Sequence, residues 1–343
     1  MLVTLTSNAD LAGDAGSYID IQGLAIVDRA VREFARTSGV ELAGPAGLAV
    51  LGGTLLFVVD PGVHSIVLIN LEGSTATSVE GMRVGSGNPG FLDGPVSSAR
   101  FRNPTAVAFA PGASVAGPID ASVEAVIVDS GNHLIRKLTM HGAESRVDTL
   151  AGLLPVNSVP TTGGADGPGF NEPTDAVFAF VSGILRVIVA DAGNHRLKMI
   201  DVLTGEVSTL AGSGKLPGLV DGPASSAEFN FPQGLAVTAS GLIIVADAGN
   251  HAIRTLDLSS HTLEVATLAG SRVGASGMLD GVGAAAAFNT PHGIAMHAED
   301  TAVVAGKPHT LDPKPLTPSP KPYALNPEPY ILIPEHSTLI PKP

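Results

Sequence analysis

The feature that most constrains this chain is one phrase repeated four times. "VADAGNH" stands at 189–195 and again at 245–251, "VIVDSGNH" at 126–133, and "FVVDPGVH" at 57–64. Branched apolar residues fit a pleated strand. Asp, a small residue and Gly then mark a tight turn, because the carboxylate accepts nearby backbone N–H groups and Gly tolerates positive φ. A second alternating run follows each turn: "SIVLINL", "LIRKLTM", "RLKMIDV" and "AIRTLDL". Each copy therefore predicts a β-hairpin.

Two further anchors recur in register. "TLAG" closes three units, at 149–152, 209–212 and 267–270. A linker carries Asp-Gly, then Phe, then Pro: Asp93/Phe101/Pro104, Asp166/Phe170/Pro173, Asp221/Phe229/Pro232 and Asp280/Phe288/Pro291. A short apolar run follows each Pro, and "PAGLAV" at 45–50 matches that run. The prolines at 45, 104, 173, 232 and 291 are spaced by 59, 69, 59 and 59 residues, the long interval holding the turn-rich insert "PGASVAGPIDASVE" at 111–124. Each unit contains four strand-like runs, as in "GLAVT", "GLIIVAD", "AIRTLDL" and "EVATLAG". Four short antiparallel strands at a constant period predict an all-β chain of β-propeller blades. A β-solenoid is the competing reading, but its turns are usually shorter and lack the up-down alternation.

The quoted residues resemble the NHL repeat, named for its Asn-His-Leu triplet. Asn132-His133-Leu134 spells the triplet, and Asn194-His195-Arg196 and Asn250-His251-Ala252 are variants of it. The linkers are similar to those of plant and algal NHL proteins. The resemblance covers about 45–305 and implies an NHL-type propeller of four full blades plus partial terminal ones, open or imperfectly closed. It also implies that the turn residues build blades: Asp60 and His64; Asp129, Asn132 and His133; Asp191, Asn194 and His195; Asp247, Asn250 and His251. The Asp would brace the turn. The basic residue beyond it (Arg136, Lys198 or Arg254) would pair with a carboxylate near the blade end. The unit from Pro45 departs most, with Val63 in place of Asn and Val67 in place of Arg or Lys, which predicts a less firmly held turn. A ring of histidines suits metal binding, but this turn leaves the second strand of a blade and need not face the channel.

The ends depart from the repeat. Residues 1–21 predict an unstructured or edge segment. Residues 22–44 read as a degenerate partial blade with Asp28 and Arg32 in the turn and basic positions, against a competing helix that places Val31, Phe34 and Ala35 on one face. The propeller is thus expected over 22–305. From 306 to 343 the chain holds eleven of its 26 prolines, with Pro313, Pro320, Pro327, Pro334 and Pro341 seven apart. Proline blocks a helix, so this tail is expected to be extended and disordered. A proline-recognising partner is one reading of it. Its resemblance to a translated telomere-like DNA repeat, as in a read-through gene model, is the reading preferred.

Composition narrows function. There is no cysteine, hence no thiol chemistry and no Cys-ligated zinc. A net charge of −13 argues against nucleic acid as a partner. No basic-then-apolar leader and no apolar run of ~18–20 residues is evident, so no membrane partner is expected and an intracellular soluble protein is the default. No G-x-S-x-G, H-E-x-x-H or phosphate loop occurs, and "GSGK" at 212–215 reads as a turn. The carboxylates of the Asp-Gly linkers are expected to bond local backbone. The expected function is a non-catalytic scaffold that binds another protein through blade loops, with no cofactor. The alternative is a metal-dependent enzyme resembling amidating lyases or lactonases, with His292 and His297 as channel candidates.

Overall fold

A computed structural model describes residues 3–4, 18–19, 42–52, 55–70, 77–113, 123–157, 159–164, 167–213, 216–259, 262–271, 273–277, 279, 282–298, 301–306 and 330–332. Among them there is no α-helix; the regular structure is antiparallel strand punctuated by one-turn 3-10 segments.

Four sheets are complete blades. Blade one runs Gly47–Leu51, Leu55–Asp60, Ser65–Asn70 and Thr77–Val84. Blade two runs Ala106–Phe109, Val123–Asp129, Leu134–Met140 and Arg146–Ala151. Blade three runs Pro173–Val181, Ile184–Asp191, Arg196–Asp201 and Val207–Ala211. Blade four runs Pro232–Val237, Leu242–Asp247, Ala252–Asp257 and Glu264–Gly270. In blades two and four a two-residue piece of the linker, Gly94–Pro95 or Gly222–Pro223, adds to the outer strand.

The blades pack face to face, which explains their sequence. Middle strands such as Leu242–Asp247 are buried on both faces, so they read as unbroken apolar runs rather than alternating ones. Separate cores fill the seams. Phe57, Val59 and Leu68 of blade one meet Phe101, Ile127 and Leu138 of blade two. Ile188 and Leu197 meet Phe229, Val245 and Leu256 between blades three and four. The linker phenylalanines Phe101, Phe170, Phe229 and Phe288 are all buried.

Blade five has three strands among the described residues. Gly293–Ala298 pairs with Thr301–Ala305, which pairs in turn with Tyr330–Leu332. The last strand differs from the expectation of a tail lying wholly outside the blades. "YILI" is a proline-free, β-branched and aromatic run in that region, so its backbone N–H groups are free to enter a ladder. The other residues of 307–343 lie outside the described set, as do residues 22–41 of the partial blade expected over 22–44. Within 1–21, Val3–Thr4 pairs with Tyr18–Ile19. First strands of consecutive blades pack on one another from one to five. Among the described residues, 42–44 forms no strand and no ladder ties it to Thr301–Ala305.

Candidate functional site

The repeated turn proves to be a device that spans the seams. After each second strand comes a one-turn 3-10 segment ending on histidine in the left-handed region, with φ of 50° at His64, 56° at His133, 55° at His195 and 54° at His251. From there each imidazole reaches the next blade. His64 Nδ1 accepts the backbone N–H of Asn103, His133 that of Glu172, His195 that of Phe231 and His251 that of Thr290, at 3.2, 3.0, 3.0 and 3.0 Å. Each donor immediately precedes the proline that opens the next blade, and each has positive φ, from 46° to 53°. That conformation is costly for Phe231 and more so for β-branched Thr290.

The neighbouring N–H is taken by the new blade's own aspartate. Asp129 accepts from Arg102 N, Asp191 from Asn171 N and Asp247 from Asn230 N, at 2.8, 2.7 and 2.7 Å. The same carboxylates hold Asn132, Asn194 and Asn250, whose side-chain N–H also bonds Gly90, Gly163 and Gly218 O of the linkers. The basic residues complete the network. Arg136 pairs with Asp129 and Arg254 with Asp247 at 2.8 Å, both fully buried, and Lys198 stands 3.3 Å from Asp191. Their charged heads lie over Phe101, Phe229 and Phe170, 5.2–5.4 Å from the ring centres. Burial outweighs these partners and pushes Asp129 and Asp247 up to about 6, with Asp191 shifted the same way. Burial lowers the pKa of His133, His195 and His251, which favours the neutral imidazole that a hydrogen-bond acceptor must be.

The structure adds to two sequence expectations. Blade one's turn, which lacks the Asn and the basic residue, is braced by buried Asp60, which takes three N–H groups, those of Ala43, Gly44 and Gly62. No histidine precedes it in the chain, and Asp60 occupies both N–H groups before Pro45. Linker residues Asp93 and Asp221 meet distant partners rather than local backbone. Asp93 pairs with Arg136 and accepts from Thr149, and Asp221 pairs with Arg254 and accepts from Thr267. A repeat fixes which residues recur but not which distant partners they meet. Asp166 and Asp280 lie outside the described residues.

At the axis, first strands from all five blades surround a cavity of about 270 Å³. They approach closely through glycine: a Cβ on Gly47 would stand 2.4 Å from Thr105 O, and one on Gly234 2.6 Å from His292 O. Thr105, Thr174, Asp175, Gln233 and His292 supply the polar wall. His292 Nδ1 lies 3.2 Å from Thr290 O. The His297 side chain lies outside the described set. Among the described residues no three His, Cys, Asp or Glu side chains come together.

Sequence reasoning missed Asp175. It stands at the third position of the opening run, where blades one, four and five have Gly47, Gly234 and Gly293. That break in "PTDAV" against "PAGLA" and "PQGLA" was the available signal. Its carboxylate accepts Ala176 N at 2.8 Å and Leu235 N of blade four at 2.9 Å. The ladder of blade four shifts register between Pro232 and Leu235, and Asp175 takes up the Leu235 N–H.

A family model for the NHL repeat matches residues 229–256, the stretch from linker Phe229 through Asp247, Asn250, His251 and Arg254. This is an NHL-repeat β-propeller. The chain is 36% identical over 141 residues to Protein SUPPRESSOR OF QUENCHING 1, chloroplastic, of Arabidopsis thaliana, covering 40% of this chain and 13% of that protein. It is 40% identical over 78 residues to NHL repeat-containing protein 2 of Bos taurus, covering 22% of this chain and 11% of that protein. The chain thus spans a small part of the curated NHL relatives it matches. An auxiliary nutrient binding protein from Bacteroides ovatus shares the propeller fold, with a TM-score of 0.51, 16% identity, and 77% of this chain and 57% of that chain covered.

The end of the NHL blades opposite the histidine turns carries a second concavity, of about 520 Å³. It lies where the hairpin loops of blades three and four meet, with Phe178, Phe180, Val237 and Leu258 on its walls and Ser182, Thr238, Ser240 and Ser259 at hand. Phe180 is 58% exposed, and Ile184 is exposed in the same hairpin of blade three. No helix of the described residues is long and apolar enough to cross a membrane.

Proposed function

We propose that this chain is a non-catalytic NHL-repeat scaffold that binds another protein through its blade loops. The observation that carries this reading is the groove between blades three and four, with Phe180 exposed at 58% beside it. Exposed aromatic and aliphatic side chains gathered at a concave surface favour a protein segment that inserts apolar side chains and bonds the hydroxyl rim. Among the described residues the groove wall holds no Lys or Arg, and the chain's net charge is −13, which favours protein over nucleic acid. The metal-enzyme alternative draws on His292 at the cavity, but the donor set assembled there is thin.

The test is capture of binding proteins by the wild-type chain, by Phe180→Asp and by Ile184→Asp, with folding checked by circular dichroism. A protein retained by the wild type and released by both variants supports the reading. Retention that ignores both substitutions removes it.

A further inference from the structure

We propose that the central cavity binds a small primary amine, with its ammonium group seated on the Asp175 carboxylate. This inference is independent of the protein-binding groove.

The fold does not require a carboxylate at this position. Blades one, four and five use glycine there and blade two uses Ala106, so Asp175 is not part of the repeated blade machinery. Its surroundings also differ from those of Asp129, Asp191 and Asp247 in the turn network. Asp129, Asp191 and Asp247 each face a buried Arg or Lys, whereas among the described residues no basic side chain reaches Asp175. Each of its oxygens accepts one backbone N–H, which leaves acceptor capacity on both. Burial pushes its pKa up to about 6, so at neutral pH it is a charged group that faces no basic side chain among the described residues. A cation arriving at the cavity would supply a counter-charge.

The rest of the wall narrows the ligand. Among the described residues too few carboxylates and imidazoles converge for a metal ion. No Phe, Tyr or Trp among them lines the cavity, which disfavours a quaternary ammonium that needs ring faces. A primary ammonium has three N–H donors. Asp175, the Gln233 side-chain carbonyl and the Thr105 hydroxyl are acceptors of the right kind on the same wall, and Thr105 Oγ1 is buried without a hydrogen-bond partner among the described residues. Ala46, Leu48, Val107 and Ile294 provide apolar wall for a short alkyl chain. A volume of about 270 Å³ leaves room for a short alkyl amine. Among the described residues the other titratable side chain on the cavity wall is His292; Asp191, on the neighbouring second strand, is engaged with Lys198.

The test is calorimetric titration of the full chain with putrescine and with its uncharged counterpart 1,4-butanediol. Putrescine should bind and the diol should not. Asp175→Asn and Asp175→Gly should each weaken putrescine at least tenfold, the glycine variant using the residue that three sister blades already carry. Melting curves would confirm that both fold. Apparent affinity should fall about tenfold from pH 7.5 to pH 5, as the carboxylate becomes protonated while the amine stays charged. Absence of putrescine binding, equal binding of the diol, or unchanged affinity in the folded variants would overturn the proposal.

Discussion

His195 Nδ1 accepts the backbone N–H of Phe231 at 3.0 Å, joining blade three to blade four across a gap of 36 residues. Phe231 has φ of 53° and precedes a proline, so its backbone is strained as well as tied down. Replacing His195 with Phe removes the acceptor and leaves the N–H unpaired. The expected loss is about 1–3 kcal/mol in urea unfolding at pH 7.5. A variant as stable as the wild type would mean that the bond contributes nothing.

The same bond gives a pH dependence of known sign. His133, His195 and His251 have pKa values lowered in the folded state, so the unfolded chain takes up the proton first. Their contribution is present above an unfolded value near 6.5 and is lost as pH falls through the lower folded value. The stability advantage of the wild type over the His195→Phe variant should therefore shrink between pH 7.5 and pH 5. Parallel stability curves for the two proteins would contradict this.

Asp247 binds the Asn230 N–H, Asn250 and Arg254 while fully buried. Asp247→Ala leaves a buried guanidinium with only half-exposed Asp221 as its counter-charge. The expected cost is about 3 kcal/mol, the low end for breaking a buried pair. Denaturant midpoints of Asp247→Ala and of Asp191→Ala, where the Lys198 contact is longer, would rank the two; the Asp247 change should cost more.

Asp175 should show the opposite pH behaviour to the histidines. Its folded pKa is raised to about 6, above the usual carboxylate value, so the native state holds the proton more tightly. Its contribution is full below an unfolded value of about 3.9 and declines as pH rises through about 6. The stability difference between the wild type and Asp175→Asn should fall across pH 4 to 6. A difference that grows over that window would show the burial argument to be wrong.

Glycine at the axis gives a steric prediction. A methyl group on Gly234 would meet His292 O at 2.6 Å, and the obstacle is backbone. Gly234→Ala should cost about 1–3 kcal/mol by thermal or urea unfolding through forcing blades four and five apart. An unchanged midpoint would show that this seam yields freely.

The blade plan was legible in the sequence because every element of it recurs. Period, strand count, turn positions and the buried linker phenylalanines all follow from prolines and Asp-Gly-Asn-His phrases in register. What was not legible was pairing at a distance. Nothing local says that His195 serves Phe231, that Asp93 meets Arg136, or that Asp60 does the work of two side chains. Asp175 escaped for a different reason. It breaks the pattern at a single position, and attention to what repeats passes over the residue that does not. Tyr330–Leu332 escaped because the prolines around it dominated the reading of that region.

The histidine bonds always reach forward, to a residue 36 or 39 positions later in the chain. A propeller looks like a circular object whose completion depends on distant ends, yet each of these seams closes over less than forty residues. The ribosome delivers that length in roughly 2–8 s at ~5–20 residues per second. Each finished blade therefore emerges carrying the docking point for the blade still being made. Assembly can proceed as a one-way relay, every step of it short in sequence, and chain growth sets the order in which the seams form.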